Sequence, residues 1–252
     1  MNNAWMTIGD IYAIAWKEYR ELFAAQGSFR SRLLNLGIFT LLLGFYFPFA
    51  GGHAFFQNPY ILLFYIFFPL GLMIVAILDS IAGERERHTL ETLLASRLSD
   101  YAILYGKILT EVAYSWGLTV GFILLALVAV NIAFWSGNLA LFPLLTLLFT
   151  LVAALMIDLF AASAGIIISL KMPTVRSGND ILVMALIVVA ITPLLVYSIL
   201  PVDWQKWIAD VPFHLGMVKT AGLILMALMA LDLCILWVAA QAFRRSRLIQ
   251  EL

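Results

Sequence analysis

The sequence predicts an all-α membrane protein: about six transmembrane helices behind an amphipathic amino-terminal interfacial helix. Three observations carry that prediction. Hydrophobic residues make up 63% of the 252-residue chain and charged residues 12%, against about 25% charged in a soluble domain, so much of the surface must meet lipid. Six apolar stretches approach or exceed the roughly 20 residues that cross the hydrocarbon layer. When the chain is threaded through them alternately, almost all of its basic residues fall on one side.

Residues 8–27 form the first element. Ile8, Ile11, Tyr12, Ala15, Tyr19, Leu22 and Phe23 share one side at 3.6 residues per turn, and Asp10, Lys17, Arg20 and Glu21 share the other. Such a helix lies flat on a membrane with its apolar face down. The first 30 residues hold no compact apolar stretch ending in a small-residue cleavage site, so they do not read as a cleavable signal peptide.

The membrane bundle spans residues 33–243. Its expected spans are Leu33–Ala50, Tyr60–Ile81, Ile108–Phe134, Leu139–Leu170, Ile181–Leu200 and Thr220–Phe243. The fourth is too long for one straight crossing and is expected to begin with an interfacial piece around Pro143, or to tilt strongly. With the amino terminus inside, the inward segments hold Lys17, Arg20, Arg30, Arg32, Arg85, Arg87, Arg97, Lys107, Lys171, Arg176, Arg244, Arg245 and Arg247. Of the 15 basic residues, that leaves Lys206 and Lys219 outside, which sets both termini in the cytoplasm of a multi-pass plasma-membrane protein. The outer segment, 201–218, carries Trp204, Trp207 and Phe213 at headgroup level and reads as a short helix or re-entrant hairpin.

Catalytic signatures are missing. No G-x-x-x-x-G-K-[ST] phosphate loop occurs, so the chain does not hydrolyse nucleotide alone. His53, His88 and His214 have no cysteine or acid cluster at metal-ligand spacing around them, and no metal site is expected. The single cysteine, Cys234, lies in an apolar run and excludes an intrachain disulfide. No internal repeat stands out, which argues against an inverted-repeat transporter.

The inner segment 82–107 holds the densest charge in the chain. Alternating acids and bases at Glu84, Arg85, Glu86 and Arg87 precede Leu90, Leu93, Leu94 and Leu98, whose spacing predicts a short amphipathic helix. Ser99 followed by Asp100 predicts the cap of the next helix. The apolar stripe must be covered, either by the chain's own helix ends or by a partner.

This stretch resembles the ABC-2 type permeases, the membrane subunits of one class of ABC exporters. That family carries E-R-E-x-G-T-L-E-x-L-L-x-[ST]-P-[LV]-S between spans two and three, with G-K a few residues on. Glu84-Arg85-Glu86, Thr89-Leu90-Glu91, Leu93-Leu94, Ser96, Leu98-Ser99 and Gly106-Lys107 match. His88 stands where glycine is usual and Arg97 where proline is usual; both are helix-compatible and put the local bend in doubt. Six spans, an amphipathic first helix, a long outer segment and inward termini agree with the family.

The resemblance implies an exporter built from two permease copies, as a homodimer or related pair, and two copies of a separate ABC ATPase that holds the ATP and Mg. This chain would carry no cofactor and contact no nucleic acid. Within it, residues 82–107 become the expected ATPase-coupling segment, with Glu84, Arg85, Glu86, Arg87, Thr89, Leu90, Glu91, Leu93 and Leu94 as coupling residues. Leu90, Leu93 and Leu94 are expected to insert into a groove on the ATPase. Asp158 and Asp232 sit about a dozen residues inside spans four and six, roughly 18 Å deep, where an acid is costly unless paired, hydrated or protonated. They are the translocation-pathway candidates. A non-transporting anchor or signalling subunit of the same build is the competing function, and an integral membrane enzyme is disfavoured by the missing catalytic groups.

Overall fold

The computed structural model describes residues 2–24, 29–57, 61–172 and 174–243, and among these there is no β-strand. Helix α1 covers Asn2–Ala24. Helix α2 (Phe29–Leu41) runs through a π-helical turn at Leu42–Tyr46 into α3 (Phe47–Gly51). Helix α4 (Ile61–Leu78) contains Pro69 and passes through a second π turn, Asp79–Gly83, into the short α5 (Glu84–Glu86). The five-residue α6 (Leu90–Leu94) follows. Then come α7 (Asp100–Ala133), α8 (Leu144–Lys171), α9 (Val175–Ile199), α10 (Val202–Leu215) and α11 (Met217–Ala242).

Four stretches are helical, long and apolar enough to cross a membrane: Phe64–Glu86, Asp100–Ala133, Leu144–Lys171 and Val218–Ala242. They contain the second, third, fourth and sixth expected spans almost entirely. The first expected span falls on α2, the π turn and α3, with a shorter apolar helix at Leu36–Gly51. The fifth falls within α9. At 34 residues α7 is about 51 Å long, well beyond a hydrocarbon layer of about 30 Å, so the helix is longer than one straight crossing requires. The long fourth stretch is divided at Pro143, which caps α8, and residues 139–143 are not helical. The outer segment is the helix α10, turned directly into α11 by Gly216 at φ +84°, a left-handed backbone that glycine adopts without strain.

Two cores stack along the bundle. At its charged end, Ile14, Ile77, Leu78, Ile81, Leu90, Ile103, Leu104, Ile166, Leu182 and Phe243 pack together. Towards the other end of α7, Leu43, Phe55, Phe56, Tyr65, Phe122 and Phe142 form an aromatic core. The apolar side expected of the first helix is divided between two tasks. Ile11 and Ile14 pack on α7, whereas Ile8, Tyr12 and Tyr19 are exposed. Ile14 was not part of the expected face; its burial shows that the docked stripe is rotated towards the charged side of the helix.

The side chains of Phe23, Arg30, Arg32, His53, Leu94, Phe213 and His214, together with Arg244, Arg245 and Arg247, lie outside the described residues.

Candidate functional site

Gly106 and Lys107 build the centre of the charged end. A Cβ on Gly106 would stand 2.7 Å from Cγ2 of Ile14 and 3.2 Å from the Ile11 carbonyl oxygen, so the missing side chain is what lets α1 lie against α7. Thr110 then reaches the Ala15 carbonyl at 3.2 Å. The close approach brings Lys107, which is wholly buried, to Glu18 of α1 at 2.7 Å, Glu84 of α5 at 3.1 Å and the Ser80 carbonyl at 2.5 Å. A buried ammonium is tolerated because opposite charges and a carbonyl replace its water. Lys17 joins from the rim, 2.8 Å from Glu84 and 3.3 Å from Glu21. Burial lowers its pKa, but the hydrogen bond to Glu84 and the charges of Glu18, Glu84 and Glu21 outweigh that and hold it above the ordinary lysine value.

Glu84 is therefore an interior residue, where the sequence reading had it among the residues that meet a partner. The other coupling candidates divide in the same way. Arg85 donates to the carbonyls of Leu170 at 2.7 Å and Met172 at 3.1 Å, tying α5 to the end of α8. Glu86 accepts from the Val175 amide at 2.8 Å, at the first turn of α9. The Ala82 amide donates to Ser169 Oγ at 2.9 Å. Arg87 pairs with Asp79 at 3.2 Å.

Leu90 is buried in the chain's own core, with Leu93 and Leu98 packed against the same cluster. This corrects the expected insertion of Leu90 into a partner groove: the i, i+3 stripe is already covered by the bundle. The helix is also shorter than the spacing implied, because α6 ends at Leu94 and residues 96–98 are bent. Glu91 and Thr92 remain exposed.

His88 resolves the question raised by the missing glycine. Its φ is +56°, the one non-glycine residue in the left-handed region among the described residues. Its amide donates to Arg85 and the Thr89 amide donates to Glu84, which is a Schellman ending with His88 in the position glycine usually takes. The bend survives the substitution. Ser99 caps α7 as expected, accepting from the Ala102 amide at 3.1 Å.

These groups border a cleft of about 610 Å³ lined by Lys17, Glu18, Glu21, Asp79, Glu84 and Glu111 among others. Above it, α7 presents Lys107, Glu111, Ser115 and Thr119, four residues apart and each at most 1% exposed. Ser115 donates to Oδ1 of Asp158 at 2.9 Å, while Oδ2 has no hydrogen-bond partner among the described residues. Asp232 of α11 is also buried, and neither of its oxygens has such a partner. Both acids sit on helices that pack against each other, but no hydrogen bond joins them among the described residues.

The geometry thus collects a segment matching E-R-E-x-x-T-L-E-x-L-L on the charged end of an apolar bundle, with the following Gly-Lys pair as its anchor. The family model for ABC-2 type transporters matches residues 9–220. The chain belongs to that family. This ABC-2 protein is accordingly an integral membrane protein and the permease component of an ABC-type system, not itself catalytic. Membership implies association with an ABC ATPase. No curated protein matches the permease.

Sequence reasoning missed Glu18, Lys107, Glu111 and Ser115 as site residues. The i, i+4 recurrence of polar residues inside the apolar α7 was the available signal. A third span that starts at Ile108 leaves Lys107 as a flanking charge and hides that recurrence.

Proposed function

We propose that this permease is the transmembrane subunit of an ATP-driven exporter, forming half of a translocation pathway with a second copy of itself and driven by a separate ATPase docked at residues 84–94. In this reading six spans cross the plasma membrane, the charged end and both termini are cytoplasmic, and α1 lies at the inner surface with Tyr12, Trp16 and Tyr19 towards lipid.

One observation carries the reading. The segment from Ala82 to Leu90 is bonded or packed to α1 through Glu84–Lys17, to α7 through Glu84–Lys107, to α8 through Arg85 and Ala82, and to α9 through Glu86. Force applied there reaches four helices at once. The exposed Glu91 and Thr92, with His88, Thr89 and the solvent side of Arg87, are among the groups open to a partner. Asp158 and Asp232 remain the pathway candidates, since acids inside a membrane mark substrate or ion routes.

The test is a Glu91→Arg, Thr92→Arg double variant purified in mild detergent. It should fold and insert normally yet lose at least tenfold of the co-purifying protein that carries a phosphate-binding loop. Undiminished recovery of that protein, with full ATPase activity in liposomes, would sink the docking assignment.

A further inference from the structure

We propose that Asp158 is a proton-binding site served from one side of the membrane, the charged end, along the polar stripe of α7. It stands beside the coupling function above and needs none of it, except that calling the charged end cytoplasmic is taken from that reading.

The stripe gives the path. Glu111 lines the cleft, and Ser115, one turn deeper, hydrogen-bonds Asp158. Four residues along a helix rise about 6 Å, a gap that a bridging water closes. Every side chain on this line, from Lys107 to Thr119, is polar and buried.

The structure also closes the far side. Thr119 spends its hydroxyl on the Tyr65 carbonyl at 3.0 Å. Beyond it α7 offers Phe122, Ile123, Ala126 and Val130 to the aromatic core of Phe55, Phe56, Tyr65 and Phe142. No polar side chain of α7 continues the stripe through that core.

Asp158 itself has the free valence that a proton would use. Ser115 occupies Oδ1, and buried Oδ2 has no hydrogen-bond partner among the described residues. A hydronium ion in the cleft breaks one O–H bond and is left as water, while its proton, relayed by water, forms an O–H bond on Oδ2 and Ser115 continues to donate to Oδ1; the reverse transfer returns the proton to water and regenerates hydronium. Other ionisable groups lie on the elements packed against α8. Tyr65 of α4, Lys107 and Glu111 of α7 and Asp232 of α11 are buried; Asp79, Asp100 and Tyr114 are partly exposed; Tyr101, Tyr105, Arg176, Asp180, Tyr197, Lys219 and Cys234 are exposed. Lys107 is committed to Glu18 and Glu84, so it does not neutralise Asp158.

The experiment uses the full chain in sealed vesicles and dicyclohexylcarbodiimide, which modifies protonated carboxyls in apolar surroundings, with the adduct read by peptide mass spectrometry. Buffers of different pH are set independently on the two sides. A Thr92→Cys reporter in a Cys234→Ser background tells which side the charged end faces. The expected result is an adduct on Asp158 that falls about tenfold per pH unit above its midpoint, following the pH on the reporter's side alone. Glu111→Leu should keep the adduct but abolish its response to that pH, and Asp158→Asn should lose it. No adduct at any pH, an adduct that follows the opposite side, or a Glu111→Leu variant that responds as the native chain does would each overturn the proposal. A Thr92→Cys reporter found on the outer face would instead overturn the orientation and leave this inference standing.

Discussion

Lys107 and Glu18 meet at 2.7 Å inside the protein, one at the base of α7 and the other on α1, with the lysine wholly buried. The contact fixes the first helix to the bundle by charge as well as by the packing of Ile14 against Gly106. Because Glu84 shares the same ammonium, α5, α1 and α7 are joined at one point.

Removing the ammonium leaves two buried carboxylates with only the half-exposed Lys17 at the rim to offset them. Lys107→Met is expected to destabilise the permease by about 3–5 kcal/mol, the usual cost of breaking a buried pair from one side. Adding Glu18→Gln and Glu84→Gln should recover a large part of that loss. Thermal unfolding in detergent, followed by size-exclusion fluorescence, measures the cycle; additive losses would show that the charges do not interact.

Lys17 provides a pH signature. Its folded pKa lies above the unfolded value, because the bond to Glu84 and the surrounding carboxylates outweigh burial. The resulting stabilisation is fully present below the ordinary lysine pKa of about 10.4 and is lost as pH rises through the folded value. With the side chain 42% exposed, it amounts to about 1 kcal/mol or less. The difference in melting temperature between the native chain and Lys17→Met should be flat from neutral pH to about 10 and shrink above that. A difference that grows with alkaline pH would reverse the sign assigned here.

His88 holds a backbone conformation that costs an L-residue about 1–2 kcal/mol. His88→Gly should therefore raise stability, by up to about 1 kcal/mol once the greater freedom of glycine in the unfolded chain is subtracted. Equilibrium unfolding of the two chains decides it. A destabilised glycine variant would mean that the imidazole makes a contact worth more than the strain.

Asp232 is buried with neither oxygen hydrogen-bonded among the described residues. Replacing an unsatisfied buried acid by an apolar residue of similar size should stabilise the fold, by about 1–3 kcal/mol. Asp232→Leu is thus expected to melt higher than the native chain while transporting less. Lower melting with unchanged transport would make the acid structural.

The family, the helical class and the capped start of α7 were all legible in the sequence, because each follows from local order. Charge scarcity requires lipid, apolar runs of fixed length require spanning helices, and Ser99-Asp100 supplies the cap where the helix begins. The amphipathic first helix was legible as a helix, but its face was not. Angular position puts Tyr12 on the expected apolar face and Ile14 beside the charged one, and only the close approach at Gly106 decides which of them is covered.

Tertiary structure alone decided the surroundings of residues 84–94. Periodicity showed that Leu90 must be buried without showing against what, and the bundle's own core claims it. Alternating acids and bases at residues 84–87 look solvated in the sequence. Lys107 lies some twenty residues further on, and it becomes the partner of Glu84 because α7 returns alongside the end of α4. The same geometry pairs Ser115 with Asp158 across 43 residues. The sequence determined which groups are costly to bury; the packing of antiparallel helices decided which of them offset one another, because contacts between distant positions depend on register and not on local pattern.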